Sequence, residues 1–303
     1  MVESQSASCS VNDIIRSKNT YRPQRTIGKI VTFSGIGLHT GKQVTLSFVP
    51  AKEDTGIVFQ RVDLPNRPTI SATLNHVRDA SSRSTSIGIG NVVIHTVEHV
   101  LAALRAYHID NLLIEISDIE PPVDDGSSLR FVEMIEEAGV VEQKQSLNII
   151  SIQTPIYFNE GDIYLVALPF DGFKVSYTFN YPHSEILRAQ YHSSVISSEY
   201  FKKELAPSRT FSLYEEVEHL IDRGLIKGGS LANSVVIKEN VIFSYEGLRY
   251  KDEMVRHKVL DLIGDLSLVG IPFHAHIIAA RSGHPANYQF AKKLFNYITS
   301  EIC

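Results

Sequence analysis

Residues 252–268 carry Val259, Leu260, Leu262, Ile263, Leu266 and Leu268 at three- and four-residue spacing, and residues 96–104 repeat the pattern on a smaller scale. That period is helical. Further helices are predicted near 129–138, 197–205, 212–223 and 285–299. Runs rich in β-branched and aromatic residues predict strands at 29–33, 43–48, 56–62, 84–89, 111–116, within 147–180, and at 234–237 and 273–280. The turn-rich stretch 35–41 joins the first two runs as a hairpin. Strands and helices mix without regular β-α-β alternation, which points to an α+β fold rather than a doubly wound sheet.

The polar run Glu142-Gln143-Lys144-Gln145-Ser146 interrupts the pattern and reads as a linker. The expected organisation is a flexible leader over 1–25, an N-terminal α+β domain over 26–143 and a C-terminal α+β domain over 147–303. Two halves of similar size and kind suggest a duplication, although no residue-level repeat is visible.

Composition narrows the class. The 303 residues are 43% hydrophobic and 21% charged, with a formal net charge of −5. That balance suits a soluble globular protein and supplies no global basic field for nucleic acid. The cysteines are Cys9 and Cys303, a usage that fits a reducing compartment and argues against a disulfide framework. No run of 18 apolar residues predicts a transmembrane segment, and the leader lacks the apolar centre of a secretory signal. Its serines and basic residues hint at an organellar address, but Glu3 and Asp13 oppose it. A cytoplasmic protein is expected.

The chemistry concentrates on the 252–268 helix. His257 and Asp261 project four residues apart from one face, a spacing that suits two ligands of one divalent metal. A solvated ion pair has the same spacing. Asp265 extends the polar stripe by another turn on an otherwise apolar helix, so the stripe must face water, a partner or a metal. Glu98 and His99 open the other helix, where Thr96 is a candidate N-cap and Glu98 an ordinary first-turn acid. The functional alternative makes His99 a third ligand and Glu98 an unligated base beside a metal with an open position. His284, in the turn Ser282-Gly283-His284-Pro285, is either a loop imidazole or a cationic acid oriented by a carboxylate such as Asp265.

Other matches fail. His95 and His99 lack the glutamate position of a His-Glu-x-x-His site, so His95 is assigned to the helix-capping region, and His274 and His276 alternate along a strand as structural residues. Residues 35–42 resemble a phosphate loop, but only three residues separate Gly37 from Gly41-Lys42, and Gln43 stands where Ser or Thr is required. Residues 118–126 resemble a calcium loop, but Pro121 and Val123 occupy two ligand positions.

The ordered set of segments is more specific than any one of them. Gly-Ile-Gly-Leu-His-Thr-Gly (35–41), Thr-Val-Glu-His (96–99), Asp-Gly-Ser (125–127), Ala-Pro-Ser-Arg-Thr-Phe (206–211), Gly-Gly-Ser-Leu (228–231), the block 247–266 and Ser-Gly-His (282–284) follow one another. From about residue 25 to the C-terminus the chain resembles the UDP-3-O-acyl-N-acetylglucosamine deacetylases, zinc amidases of lipid A biosynthesis.

The resemblance implies two similar domains whose helices pack between two outer β-sheets, with the site at their junction. It implies one zinc per chain, or iron, bound by His99, His257 and Asp261. It gives Glu98 as general base, His284 as general acid, Asp265 as its orienting carboxylate, Thr210 as donor to the substrate carbonyl, and Lys258, Phe211 and His39 as substrate-site residues. UDP-3-O-acyl-N-acetylglucosamine is the implied substrate and a monomer is expected. The alternatives are a zinc amidohydrolase on a different acylated sugar and a non-catalytic sugar-nucleotide binding protein. Ala232-Asn233 and Arg188-Ala189-Gln190 depart from the family pattern, outside the catalytic set, and bear on acyl-chain preference.

Overall fold

The structure is a computed structural model that describes residues 20–79, 84–181, 184, 186–222 and 224–302. Its strands in chain order are β1 (Thr20–Ile27), β2 (Val31–Ile36), β3 (Gln43–Pro50), β4 (Ile57–Arg61), β5 (Thr69–Ser71), β6 (Val77–Asp79), β7 (Ser86–Ile89), β8 (Val92–Ile94) and β9 (Leu112–Ile116). They continue with β10 (Val140–Ser151), β11 (Ile156–Glu160), β12 (Ile163–Leu168), β13 (Phe173–Tyr181), β14 (Arg188–Val195), β15 (Phe211–Leu213), β16 (Val235–Lys238), β17 (Val241–Phe243) and β18 (Phe273–Ala280). The main helices are α1 (Glu98–Ala106), α2 (Leu129–Ala138), α3 (Tyr214–Asp222), α4 (Glu253–Ser267) and α5 (His284–Ile302).

Alternation builds the two large sheets. In β3 the side chains of Val44, Leu46 and Phe48 are buried, and in β9 those of Leu112, Ile114 and Ile116, so each strand turns one face to the core. These strands lie in the five-stranded sheet β2-β3-β9-β4-β5. The seven-stranded sheet is built around β18, which buries Phe273, Ala275, Ile277 and Ala279. It pairs with β10 and β12 along one edge and with β13 along the other, while β1, β11 and β14 complete the sheet.

The helices fill the space between. Helix α2 packs on β2, while α4 meets β13 and β14 and α5 meets β11 and β12; α1 packs against both α2 and α4. The α+β class and the helices lying between two outer sheets agree with the expectation. Two small sheets, β6-β7-β8 and β15-β16-β17, are added to this frame.

The crossing of α1 and α4 is close because Gly264 has no side chain. A Cβ placed there would lie 2.1 Å from the Glu98 carbonyl oxygen. Helix α4 is buried on nearly every face, including its stripe His257, Asp261 and Asp265. Water is therefore not what that stripe faces.

Three expectations are corrected. Residues 20–25, assigned to the leader, form most of β1; residues 1–19, with Cys9, and Cys303 lie outside the described residues. The run 142–146, read as a linker, lies inside the twelve-residue strand β10, which pairs with β1 from Ile149 opposite Thr20 to Val140 opposite Ile27. Most of that stretch is exposed, so its polarity reflects solvent around a ribbon rather than missing structure. Thr96 does not cap α1: Val97 holds the cap position, and Thr96 has φ 56° with its buried Oγ1 lacking a protein partner.

Candidate active site

Packing α1 across α4 brings the two sequence-distant clusters together. His99 Nε2 lies 3.6 Å and His257 Nε2 3.4 Å from the same atom, Asp261 Oδ1. The two imidazoles meet edge to face with centroids 5.0 Å apart, and one potential ligand atom from each of the three residues falls within 4.8 Å of the others. His257 Nδ1 lies 3.1 Å from the Ser208 carbonyl, so it donates there and its Nε2 lone pair points into the cluster. Ser128 Oγ donates to the His99 carbonyl at 2.9 Å and anchors the first turn of α1.

Electrostatics favour the ligand forms. Burial pushes the His257 imidazole down to about 4 against the pull of Asp261, which keeps it neutral. Burial alone would raise the Asp261 carboxyl, but the neighbouring His257, Lys258 and His99 outweigh it and hold it well below the usual carboxylate range. Lys258 Nζ donates to Asp261 Oδ2 at 2.8 Å, and Oδ1 is buried without a hydrogen-bond partner in the protein. A buried anionic oxygen left unpaired costs several kcal/mol, roughly, unless a cation meets it. Two imidazoles and a carboxylate are a donor set that fits a divalent metal of the zinc or iron type.

Glu98, 2% exposed, stands beside this set. Burial raises its carboxyl above the ordinary range, although His284 and His99 oppose the rise. Its Oε2 accepts the Thr85 N–H at 3.0 Å. Its Oε1 lies 4.0 Å from His284 Nε2, which is also 4.0 Å from Asp261 Oδ2.

His284 begins α5 and its Nδ1 donates to Asp265 Oδ2 at 2.9 Å. Burial alone would disfavour its cation, but Asp265, assisted by Glu98 and Asp261, raises it to about 9. Asp265 is fixed in turn by Thr85 Oγ1 at 2.6 Å and Asn287 Nδ2 at 2.8 Å.

Thr210 and His99 line one narrow cleft together with Leu38, Thr96 and Phe131. Thr210 is set by backbone bonds to Gly126 and Val235 just before β15. Phe211 follows it, its ring 6.3 Å from that of His257 and beneath Lys258 Nζ at 5.7 Å. His39 is not within hydrogen-bond or ion-pair reach of the cluster. It sits in the turn after β2, where its N–H donates to the Glu120 carboxylate. His95 precedes α1 and meets Ser86 Oγ, and His276 meets Ser176 Oγ.

Thr85, Asn287 and Tyr177 were not legible as site residues. Tyr177, 1% exposed, donates its hydroxyl to the Ser282 carbonyl and pins the Ser-Gly-His turn. Asn287 stands three residues after His284 at the start of a helix, a spacing that could have flagged it. Thr85 offered no signal, because it reads as one more polar residue entering a strand.

Fold and site together define a metalloenzyme: an α+β sandwich whose central helices carry a buried His-His-Asp set flanked by a carboxylate and a carboxylate-held imidazole. The chain belongs to the UDP-3-O-acyl N-acetylglycosamine deacetylase family, whose family model matches residues 24–296. It is similar to the UDP-3-O-acyl-N-acetylglucosamine deacetylase of Chlamydia pneumoniae, 50% identical over 90% of this chain and 97% of that protein. The proteins of the same name from Chlamydia caviae (49%, covering 91% and 98%) and Chlamydia felis (50%, covering 90% and 97%) are comparably similar.

Proposed function

We propose that this chain removes the N-acetyl group from UDP-3-O-acyl-N-acetylglucosamine in lipid A biosynthesis, in the cytoplasm, releasing acetate and the free amine. The observation that carries the reading is the unpaired, buried Asp261 Oδ1 facing the Nε2 atoms of His99 and His257. These three residues hold one zinc ion, with iron as the alternative metal. The metal supplies Lewis acidity, bringing ionisation of water close to neutral pH and polarising a carbonyl.

The chain's own groups do the rest. Glu98 is the general base: Thr85 occupies Oε2, which leaves Oε1 to take the proton of the attacking water. Thr210, on the cleft shared with His99, donates to the substrate carbonyl oxygen. His284 carries a proton on Nε2 at neutral pH, stabilises the oxyanion that develops on the amide carbonyl oxygen and protonates the leaving nitrogen. Asp265 holds it in that state. Lys258 adds fixed positive charge, and Phe211 and His39 form walls of the substrate site. The site lies where the two α+β halves expected over 26–143 and 147–303 meet, α1 coming from the first and α4 and α5 from the second, while β10 runs unbroken across that boundary with β1 paired to it.

Acetate release from UDP-3-O-acyl-N-acetylglucosamine tests the proposal. Activity should vanish on chelation and return with zinc. Glu98→Ala should lose at least about 100-fold in kcat while retaining metal, whereas Asp261→Ala should lose metal. No release from folded, metal-replete protein would reject the substrate, and undiminished turnover of Glu98→Ala would reject the base.

A further inference from the structure

A second cavity, of about 710 Å³, opens at the opposite end of α1 from Glu98 and His99. Arg105 lies seven positions after Glu98, so the two are about 10 Å apart along the helix axis. The cavity lies between β10 and the start of β18 and is walled in part by Leu101, Leu104 and Ile149. Its volume is that of a small-molecule site.

Its chemistry is unusual. Among the described residues, twelve buried side-chain polar atoms lack a hydrogen-bond partner in the protein, and four of them, on Arg22, Arg105, Asn148 and His274, belong to residues lining this cavity. Each of these atoms is itself shielded, and His274 Nδ1 lies 3.6 Å from Asp171 Oδ1, so they mark this wall as polar without supplying contact atoms, a part that falls to the terminal nitrogens of Arg105.

Arg105 is the decisive group. Its guanidinium lies 4.8 Å from the Phe173 ring centroid and 4.5 Å from that of Phe273, and those rings hold each other at 88°. The fork is thus positioned in advance by stacking. Among the described residues Arg105 forms no ion pair. Of the cavity's carboxylates, Asp110 is taken by both terminal nitrogens of Arg22 and by the Arg25 N–H. Asp54 is exposed at the rim and accepts from Gln24. Burial pulls the Arg105 guanidinium down to about 10, and burial and Arg105 together lower His274.

We infer that this cavity binds an amphiphilic monocarboxylate, the Arg105 guanidinium meeting the head group and the apolar wall taking the tail. A guanidinium fork matches a carboxylate in two parallel hydrogen bonds. A dianionic phosphate fits less well, because one unpaired cation faces it while Asp54 and Asp110 would repel its second charge. The apolar part of the wall, Leu101, Leu104 and Ile149, favours a ligand with an apolar tail over a small hydrated anion.

The chain contains no tryptophan, so Leu147→Trp, at a half-buried lining position, gives a single reporter inside the cavity. Titrating the metal-replete, full-length protein with octanoate should give a saturable change in its fluorescence. Adding Arg105→Met should weaken the apparent affinity at least about tenfold, the loss of one charge-assisted contact. Methyl octanoate, without the charge, should bind both proteins equally and weakly. Arg105→Lys, which keeps charge and loses the fork, should fall between them and serves if the methionine variant does not fold. The inference is overturned by a silent reporter up to about 10 mM octanoate, a range set by weak-binding affinity. Equal response to octanoate and its ester, or octanoate binding seen by calorimetry while the reporter stays silent, overturns it too.

Discussion

Asp265→Asn isolates the charge that holds a proton on His284. The substitution keeps the geometry: the amide oxygen can accept from His284 and Asn287 where Oδ2 now does, and the amide NH2 can donate to Thr85 Oγ1 in place of the present bond. What disappears is the negative charge that overcomes burial and raises His284 to about 9. Without it, burial is opposed only by the weaker pull of Glu98 and Asp261, and the imidazole falls toward its ordinary value of about 6.5. At pH 7.5 the protonated form of His284 then falls from about a thirtyfold excess over neutral to about one part in ten, by ordinary titration. Activity at that pH should drop by roughly tenfold, and the shift of more than about two units corresponds to roughly 3 kcal/mol of stabilisation of the imidazolium. The sign is fixed: His284 acts protonated, so the basic limb of the kcat/KM profile moves to lower pH. A bound metal's positive charge lowers the limb in parent and variant alike, so the comparison is between the two profiles at equal metal content. A basic limb that stays where the parent has it, however low the activity, would refute the argument.

Three further outcomes follow from the packing. Glu253 accepts from Arg209 Nε at 2.8 Å, Arg209 N at 3.1 Å and Arg249 N at 2.7 Å, with both ionic side chains fully buried. Glu253→Gln should therefore cost about 3–5 kcal/mol and lower Tm by roughly 10 °C, and a thermal scan shifted by less than about 2 °C would contradict this. Gly264→Ala puts a methyl against the Glu98 carbonyl and should destabilise by about 3 kcal/mol or more, with weaker metal retention measured alongside Tm; a protein of parental Tm and metal content would show the helix crossing to be slack. Thr85→Val removes the donor to Asp265 Oδ1 but keeps the backbone bond to Glu98, so kcat should fall about tenfold with little change in KM. An unchanged kcat would remove Thr85 from the orienting network.

Local pattern carried much of the architecture. The helices at 98–106, 129–138, 253–267 and 284–302 and the strands β3, β9 and β18 fall where periodicity placed them, because each buries one repeating face. Periodicity could not expose β1 or the polar half of β10. Their pairing joins segments some 120 residues apart; the polar half of β10 is largely wet, and the buried end of β1 carries the polar Gln24 and Thr26, so neither shows an apolar alternation.

The sequence by itself determined which side chains could do chemistry: His257, Asp261 and Asp265 share a face because the helix repeats every 3.6 residues, and Glu98 and His99 open another helix. Only the tertiary structure decided that these faces meet. Gly264 lets α1 cross α4 closely enough to set His99 against Asp261. Burial then converts ordinary side chains into a neutral imidazole and a raised glutamate, while Asp265 holds a persistent imidazolium against the same burial. Spacing along a chain is a local property, whereas convergence and desolvation arise only when distant segments exclude water together.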